Sequence, residues 1–447
     1  MRHAAISAVS LGMILCLLII VAHSQTIKLG PAELIYSDAA LNGKTIMPGV
    51  RPGGSVRTIT VDNGDPPHFI IDAPLSTIRN GTAMDFLVSN WQGIDKCLGT
   101  PLDPFQKRYW GLPREKLWMN SSVFLKDRDT VSGGGGGAEY WRDVPWISNV
   151  YRVQDDGVPG IGKGDLLGFA HVECSKVPKN GAGFYRKTLY KIGLAFCRAK
   201  DGAAKWVYCS DILFTKDRYG EEISDCKKYP WGNGMTCPGF LLHNIGGAPY
   251  IVKNDSFYVY FMDWDTADTK WNARHWPARI CVARARVKDA LEEISKRIAA
   301  PPVACPPPFS DLWRKFDGSA WSIMGNSAKS AGREVFAPYH GDPGLDIHGD
   351  AAYCGPLKKY LITVDMPGAG KLLLYSSKDG LHWDGAPLEL DDDTAWRMPH
   401  SCFATLASDA SIDCHEVGKQ FYVIWPRTKN ADPTVQELWR REVDIVK

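Results

Sequence analysis

Leu372-Leu373-Leu374-Tyr375-Ser376-Ser377-Lys378-Asp379-Gly380, leading to Trp383, carries the clearest architectural signal in the chain. An apolar strand enters a Lys-Asp-Gly turn, and the chain re-emerges at a tryptophan. The same arrangement stands at Ile192-Gly193-Leu194-Ala195-Phe196-Cys197-Arg198-Ala199-Lys200-Asp201-Gly202, leading to Trp206. Two aligned strand-turn-strand pieces far apart in one chain point to an internal repeat, and a repeat constrains architecture more than any single element.

Working outward, a hairpin stands upstream of each piece, and the hairpin itself recurs five times. Its copies are Ile71–Ile78 with Met84–Trp91 around Asn80-Gly81; Trp146–Val153 with Leu166–Cys174; Ala248–Val252 with Phe257–Trp264 around Asn254-Asp255; Ala351–Cys354 with Tyr360–Met366 around residues 355–358; and Cys414–Val417 with Phe421–Pro426. Asn-Gly and Asp-Gly favour turns whose central residues need positive φ. Ile280–Asp289 and Leu438–Ile445 echo the third strand. About four strands per unit is the blade of a propeller. The chain is therefore expected to be all-β: a five-bladed β-propeller of four-stranded antiparallel blades with loop and short helical insertions. A β-sandwich with coincidental hairpins is the rival. Lys288–Ala300 reads as one helix, with Leu291, Ile294 and Ile298 on one face, and Pro301–Pro308 as a stiff connector. The Gly133–Gly137 run lacks the GK[ST] of a phosphate loop.

Met1-Arg2-His3 followed by an uncharged run to Ala22 reads as a secretory signal, with cleavage after Ser24. An uncleaved anchor is the rival, since the run approaches spanning length. The expected organisation is a signal over 1–24 and one domain over 25–447, secreted and extracellular, with no membrane association after cleavage and a monomeric state. Cysteine use fits export: no CxxC pair is present among the 12 cysteines, and in an oxidising compartment most should pair. Cys197–Cys209, Cys226–Cys237 and Cys402–Cys414 are the close-spaced candidates. Acceptor triplets for N-glycosylation begin at Asn80, Asn120 and Asn254. Lys+Arg 52 against Asp+Glu 50 is nearly balanced, which argues against a nucleic-acid partner. With 16 Trp, 17 Tyr and 16 Phe, aromatic faces are available for sugars. There is no G-x-S-x-G elbow and no H-E-x-x-H.

The pieces GLAFCRAKDGAAKW (193–206), LLLYSSKDGLHW (372–383), GGAPYIVKNDSFYVYFMDW (246–264) and DIHGDAAYCGPLKKYLITV (346–364) resemble five-bladed β-propeller glycoside hydrolases, the broad group that includes family 43. The sialidase box S-x-D-x-G-x-[TS]-W is not matched, because Asp379 and Gly380 are adjacent. The resemblance implies a carbohydrate substrate, acid/base chemistry by carboxylates and no organic cofactor. It also leaves a second reading, a non-catalytic carbohydrate-binding or cell-surface propeller with the same aromatic funnel.

Residues that begin the first strand or end the second strand of a blade lie at one edge and are the candidates for the centre. Glu173 is expected to be the general acid, since Leu166–Ala170 ahead of it is apolar and desolvation raises a carboxyl pKa. Asp72 is expected to be base or nucleophile, as the family pattern of one carboxylate on the first blade implies. Asp350 is the third, orienting the acid or tuning its pKa. Family 43 uses Asp, Asp and Glu on successive blades, and a Glu on the second blade departs from that order. Arg79, Trp91, His171, Asp263, His348 and Trp425 are the candidate sugar contacts, with inter-blade core the alternative for Trp91, Trp264 and Trp425, and Asp365 also falls at a strand end. His348 is the residue that would orient water around a central calcium, though no oxygen-rich calcium loop is visible.

Overall fold

Phe257, Val259 and Phe261 enter one apolar core, while Tyr258, Tyr260 and Met262 enter another. Alternation along a strand sends successive side chains to opposite faces, so this strand is buried on both sides. That explains why SFYVYFMDW reads as a continuous apolar run and not as a hydrophobic–polar alternation. The computed structural model describes residues 25–37, 75–80, 83–90, 93–99, 107–108, 139–178, 188–201, 206–214, 247–264, 278–300, 312–325, 327, 332–336, 347–366, 371–383, 385–392, 404–407, 416–429 and 432–446.

Among these residues the chain is mostly β. In chain order the elements are β1 (Thr26–Ser37), β2 (Leu75–Asn80), β3 (Ala83–Asn90), β4 (Gly93–Gly99), β5 (Lys107–Arg108), β6 (Glu139–Arg152), β7 (Leu166–Pro178), β8 (Thr188–Cys197) and β9 (Trp206–Phe214). They continue with β10 (Tyr250–Lys253), β11 (Ser256–Trp264), β12 (Ala278–Arg286), α1 (Val287–Ala299), β13 (Arg314–Lys315), β14 (Ile323–Met324), β15 (Ala351–Cys354), β16 (Lys359–Met366) and β17 (Lys371–Ser377). The last are β18 (Leu388–Asp392), β19 (Thr405–Ala407), β20 (Glu416–Val417), β21 (Gln420–Lys429) and β22 (Asp432–Val446).

They form five sheets, with strand orders β2-β3-β4-β5, β6-β7-β8-β9, β10-β11-β12-β13-β14, β18-β17-β16-β15-β20 and β1-β22-β21-β19. Pairing is antiparallel except that β20 joins β15 in parallel. The apolar cores lie between successive sheets. One unites Leu167, Phe169, Leu194 and Phe196 of the second sheet with Phe257, Val259 and Phe261 of the third. The next unites Tyr258, Tyr260 and Met262 with Ile362, Val364 and Tyr375 of the fourth. A third unites Leu361, Leu372 and Leu374 with Phe421, Val423 and Trp425 of the fifth. The first strands of the sheets meet one another: β2 touches β6 and β19, β15 touches β10 and β19, and the Tyr250 hydroxyl donates to the Val150 carbonyl at 2.9 Å.

Three expectations need correction. The fifth hairpin is misassigned, because 416–417 pairs with Tyr353 and Cys354 of the neighbouring sheet, and the strand next to β21 is 405–407. Cys197 and Cys209 do not face each other: Cys197 lies opposite Trp206 in the β8–β9 register, which puts Cys209 three residues along β9 and on the other face. Trp425 is fully buried in the core between the fourth and fifth sheets, and its indole N–H donates to Asp391 at 2.9 Å, so it cannot stack on a sugar. The helix falls at 287–299, close to the expected 288–300, with Ala290, Leu291 and Ile294 buried.

The segments that lead into β10 and β15 pack tightly at Gly247. Its φ is +57°, and a Cβ there would lie 1.6 Å from the Ile347 carbonyl oxygen. Both the conformation and the space demand glycine. Gly247→Ala is expected to lower unfolding free energy by about 3 kcal/mol or more. The denaturant midpoint of the purified variant checks this, and a loss below about 1 kcal/mol contradicts the contact.

Candidate functional site

The core faces turn polar at one end of the sheets. On β16, Tyr360, Ile362 and Val364 face the third sheet, while Leu361, Thr363 and Asp365 take the alternate positions toward the fifth. Thr363 and Asp365 are both buried, so two polar side chains continue a face that begins with leucine. On β7 the apolar series Leu167, Phe169 continues as His171, which is 3% exposed. On β6, Asn149 is buried at a bulge, where the register with β7 shifts between Ile147 and Asn149. Bulges re-aim side chains and occur beside functional sites.

These groups converge with the segment 347–350 ahead of β15. Ile347 and Gly349 are buried, and His348 and Asp350 keep partial exposure, the alternation of an extended chain. The rings of His171 and His348 meet edge to face, with centroids 5.5 Å apart and planes at 73°. The Asn149 amide donates to the Gly349 carbonyl at 3.4 Å. A Cβ at Gly349 would lie 2.1 Å from Thr363 Oγ1, so glycine is what lets this segment lie flat on β16. The second and fourth sheets, with the third between them in sequence, thus touch directly through a His–His and an Asn–Gly contact.

Asp350 ties the fourth sheet to the fifth. Its Oδ2 accepts the Leu406 amide at 3.0 Å and the Thr405 hydroxyl at 3.1 Å, and its Oδ1 accepts the Ala351 amide at 2.8 Å. Its own amide donates to Thr363 Oγ1 at 2.9 Å. Burial pushes the Asp350 carboxyl up to about 7, and the donors from Leu406, Ala351 and Thr405 pull against that rise without cancelling it. A carboxyl of this kind holds a proton into the neutral range, which is the property an acid/base site uses.

The other sequence candidates fall differently. Asp72 and Trp91 lie outside the described residues. Of the first strand of that hairpin, Leu75–Asn80 is described, and the expected start at 71–74 lies outside the described residues. Arg79, Glu173 and Asp263 are placed only as strand positions. Glu173 lies two residues after His171 in β7, opposite Val144 and Tyr190; Arg79 pairs with Met84; Asp263 pairs with Arg279. The site residues that sequence reasoning missed are Asn149, Thr363 and Thr405. A polar residue inside an apolar strand, as in WISNVY and YLITVDM, was the available signal. Among the described residues no three His, Cys, Asp or Glu side chains gather in a way that could hold a metal ion.

No family model and no curated protein matches the chain. Among solved structures it is similar to a family 117 glycoside hydrolase, Zg3597, of the marine bacterium Zobellia galactanivorans, at 10% identity, with 83% of each chain covered and a TM-score of 0.39. It is also similar to the Bacillus subtilis arabinanase Arb43A, at 9% identity, covering 84% of this chain and 94% of that one, with a TM-score of 0.36. A third is the catalytic domain of the Coprinopsis cinerea GH62 alpha-L-arabinofuranosidase, at 7% identity, 83% and 90% coverage and a TM-score of 0.34. At such identities no residue role transfers from these proteins.

The Asp350 carboxyl makes stability depend on pH. Its folded pKa lies above the unfolded value, so its contribution is complete below about pH 4 and is lost as pH rises through about 7. Asn at this position cannot ionise. Urea midpoints of wild type and Asp350→Asn are therefore expected to shift relative to each other in favour of the variant between pH 4.5 and pH 8, by more than about 1 kcal/mol. A difference that stays flat across that range contradicts the buried carboxyl.

Proposed function

We propose that residues 25–447 form one secreted domain, a closed five-bladed β-propeller, and that it is a glycoside hydrolase acting on a polysaccharide or glycan side chain. The closed ring is supported by the contacts of β2 with β6 and β19 and of β15 with β10 and β19, together with the Tyr250–Val150 hydrogen bond. The observation that carries the catalytic reading is Asp350: a protonatable carboxyl two residues from His348, whose ring meets that of His171, where a core face turns polar.

Glycoside hydrolysis needs a protonated acid at the leaving oxygen and an ionised carboxylate opposite it. In this reading Glu173 gives its proton to the glycosidic oxygen, and Asp72 acts as base or nucleophile. Asp350 has both oxygens engaged by neighbouring donors, which suits it to positioning the site and setting its electrostatics, not to attacking the sugar. His171 and His348 offer ring nitrogens to sugar hydroxyls, and Arg79 and Asp263 stand at strand positions from which they serve the same task. No organic cofactor or metal takes part, and the working unit is a monomer that meets neither nucleic acid nor membrane.

The test is a screen of the purified mature chain against aryl furanosides, aryl pyranosides and plant and microbial polysaccharides. Glu173→Gln and Asp72→Asn are each expected to reduce kcat/KM at least 100-fold on whichever substrate is cleaved, roughly the loss of one acid/base group. Full activity in both variants sinks the assignment. Silence of the wild type across the panel with retained sugar binding makes the protein a carbohydrate-binding propeller instead.

A further inference from the structure

The acceptor triplet Asn254-Asp255-Ser256 stands at the tip of the β10–β11 hairpin. Lys253 pairs with Ser256, so Asn254 and Asp255 are the two loop residues. Both have positive φ, +48° and +54°, the pattern of a type I′ turn. Asn tolerates this region better than most residues. The turn is anchored on both flanks: Lys253 Nζ donates to the Asp379 carbonyl at 2.6 Å, and the Val287 amide donates to the Asp255 carbonyl at 2.8 Å. Asn254 and Asp255 are themselves exposed. An asparagine held at the tip of a fixed turn, with its side chain in solvent, carries a bulky substituent without disturbing any packed face.

The direction of the hairpin fixes where such a substituent would project. β10 begins three residues after Gly247, which packs on the Ile347 carbonyl, and ends at Lys253, next to Asn254. Its four strand residues put the tip about 13 Å beyond the start of β10. A second triplet, Asn80-Gly81-Thr82, occupies the corresponding place in the first sheet: Asn80 ends β2 and pairs with Ala83 at the start of β3. Two of the chain's acceptor asparagines thus stand at the turn ends of first-strand hairpins, away from Asp350 and the His171–His348 contact.

We propose that Asn254 carries an N-linked glycan, placed on the turn end of the third sheet and directed away from the polar centre. The donor is a lipid diphosphate-linked oligosaccharide. A C–N bond forms between Asn254 Nδ2 and the anomeric carbon as the anomeric C–O bond to the diphosphate breaks. The lipid diphosphate departs with the electron pair, and the amide gives up one proton. The Ser256 hydroxyl, two residues on, completes the acceptor triplet. In the folded turn that hydroxyl donates to the Asn254 carbonyl at 3.4 Å, leaving the modified side chain free of it. The glycan marks the turn end as the outward face and keeps the opposite end open to a polymer.

The proposal rests on the reading of residues 1–24 as an export signal, and the experiment separates the two. Residues 25–447 are produced in a eukaryotic secretory host behind a foreign leader, and the full chain is produced behind its own. Secreted protein is treated with peptide N-glycosidase in heavy-oxygen water and mapped by peptide mass spectrometry. The expected result is heavy-oxygen Asp at position 254 in most molecules, absent from Ser256→Ala and replaced by unmodified Gln in Asn254→Gln. A folded, secreted chain with unmodified Asn254 overturns the proposal. Modification behind the foreign leader, with no export behind the native one, upholds the glycan and overturns the signal reading alone.

Discussion

Two-sided burial of the middle strands is the constraint from which the rest of the molecule follows. β11 sends Phe257, Val259 and Phe261 one way and Tyr258, Tyr260 and Met262 the other. β16 and β17 divide their side chains in the same manner between the second and third cores. A sheet with two apolar faces needs two neighbours, so no sheet here stands alone. The pairing of β1 with β22 serves the same need at the chain ends, joining residues 26–37 to 437–446 in one ladder. Arg440 reaches Glu33 at 2.8 Å across that ladder, an exposed pair that contributes little beside the backbone bonds.

Packing of this kind dictates what happens where the sheets converge. Side chains there face each other at short range, and the chain answers with glycine at 247 and 349 and with small polar groups at 149, 363 and 405. The cost is a largely desolvated carboxyl at Asp350, met by hydrogen-bond donors from two sheets. Without those donors such a group would weaken the fold. In the third and fourth sheets the same geometry sets the approach to the first strand apart from the short turn at its end.

Much of this was legible in the sequence wherever a local signal coincided with the global one. The third and fourth hairpins combine dense apolar strands with short polar turns, and both appear at the expected positions. The helix was legible because Leu291 and Ile294 recur at helical spacing. His171, His348 and Asp350 were singled out because each falls where a first strand begins or a second strand ends, and the structure brings the two histidine rings together. What failed depended on pairing between distant segments. Nothing local in Thr26–Ser37 says that its partner lies some 400 residues on, and Glu416-Val417 looks like the start of a hairpin until the edge of β15 claims it. Trp425 gave no sign of its orientation, since a strand tryptophan serves a core or a sugar equally well. Cys197 and Cys209 stand close in sequence, but a hairpin register sets which residues face each other, and theirs do not.

The central claim is that the second and fourth sheets meet at a polar centre through His171 and His348. The direct measurement is an NMR nuclear Overhauser experiment on the mature chain with selectively labelled histidine, assigned by His171→Gln and His348→Gln. A cross-peak is expected between the two imidazole rings, whose centroids lie 5.5 Å apart, and it should vanish in either variant. Two assigned histidines with no cross-peak in the folded protein would contradict the convergence on which the site is built.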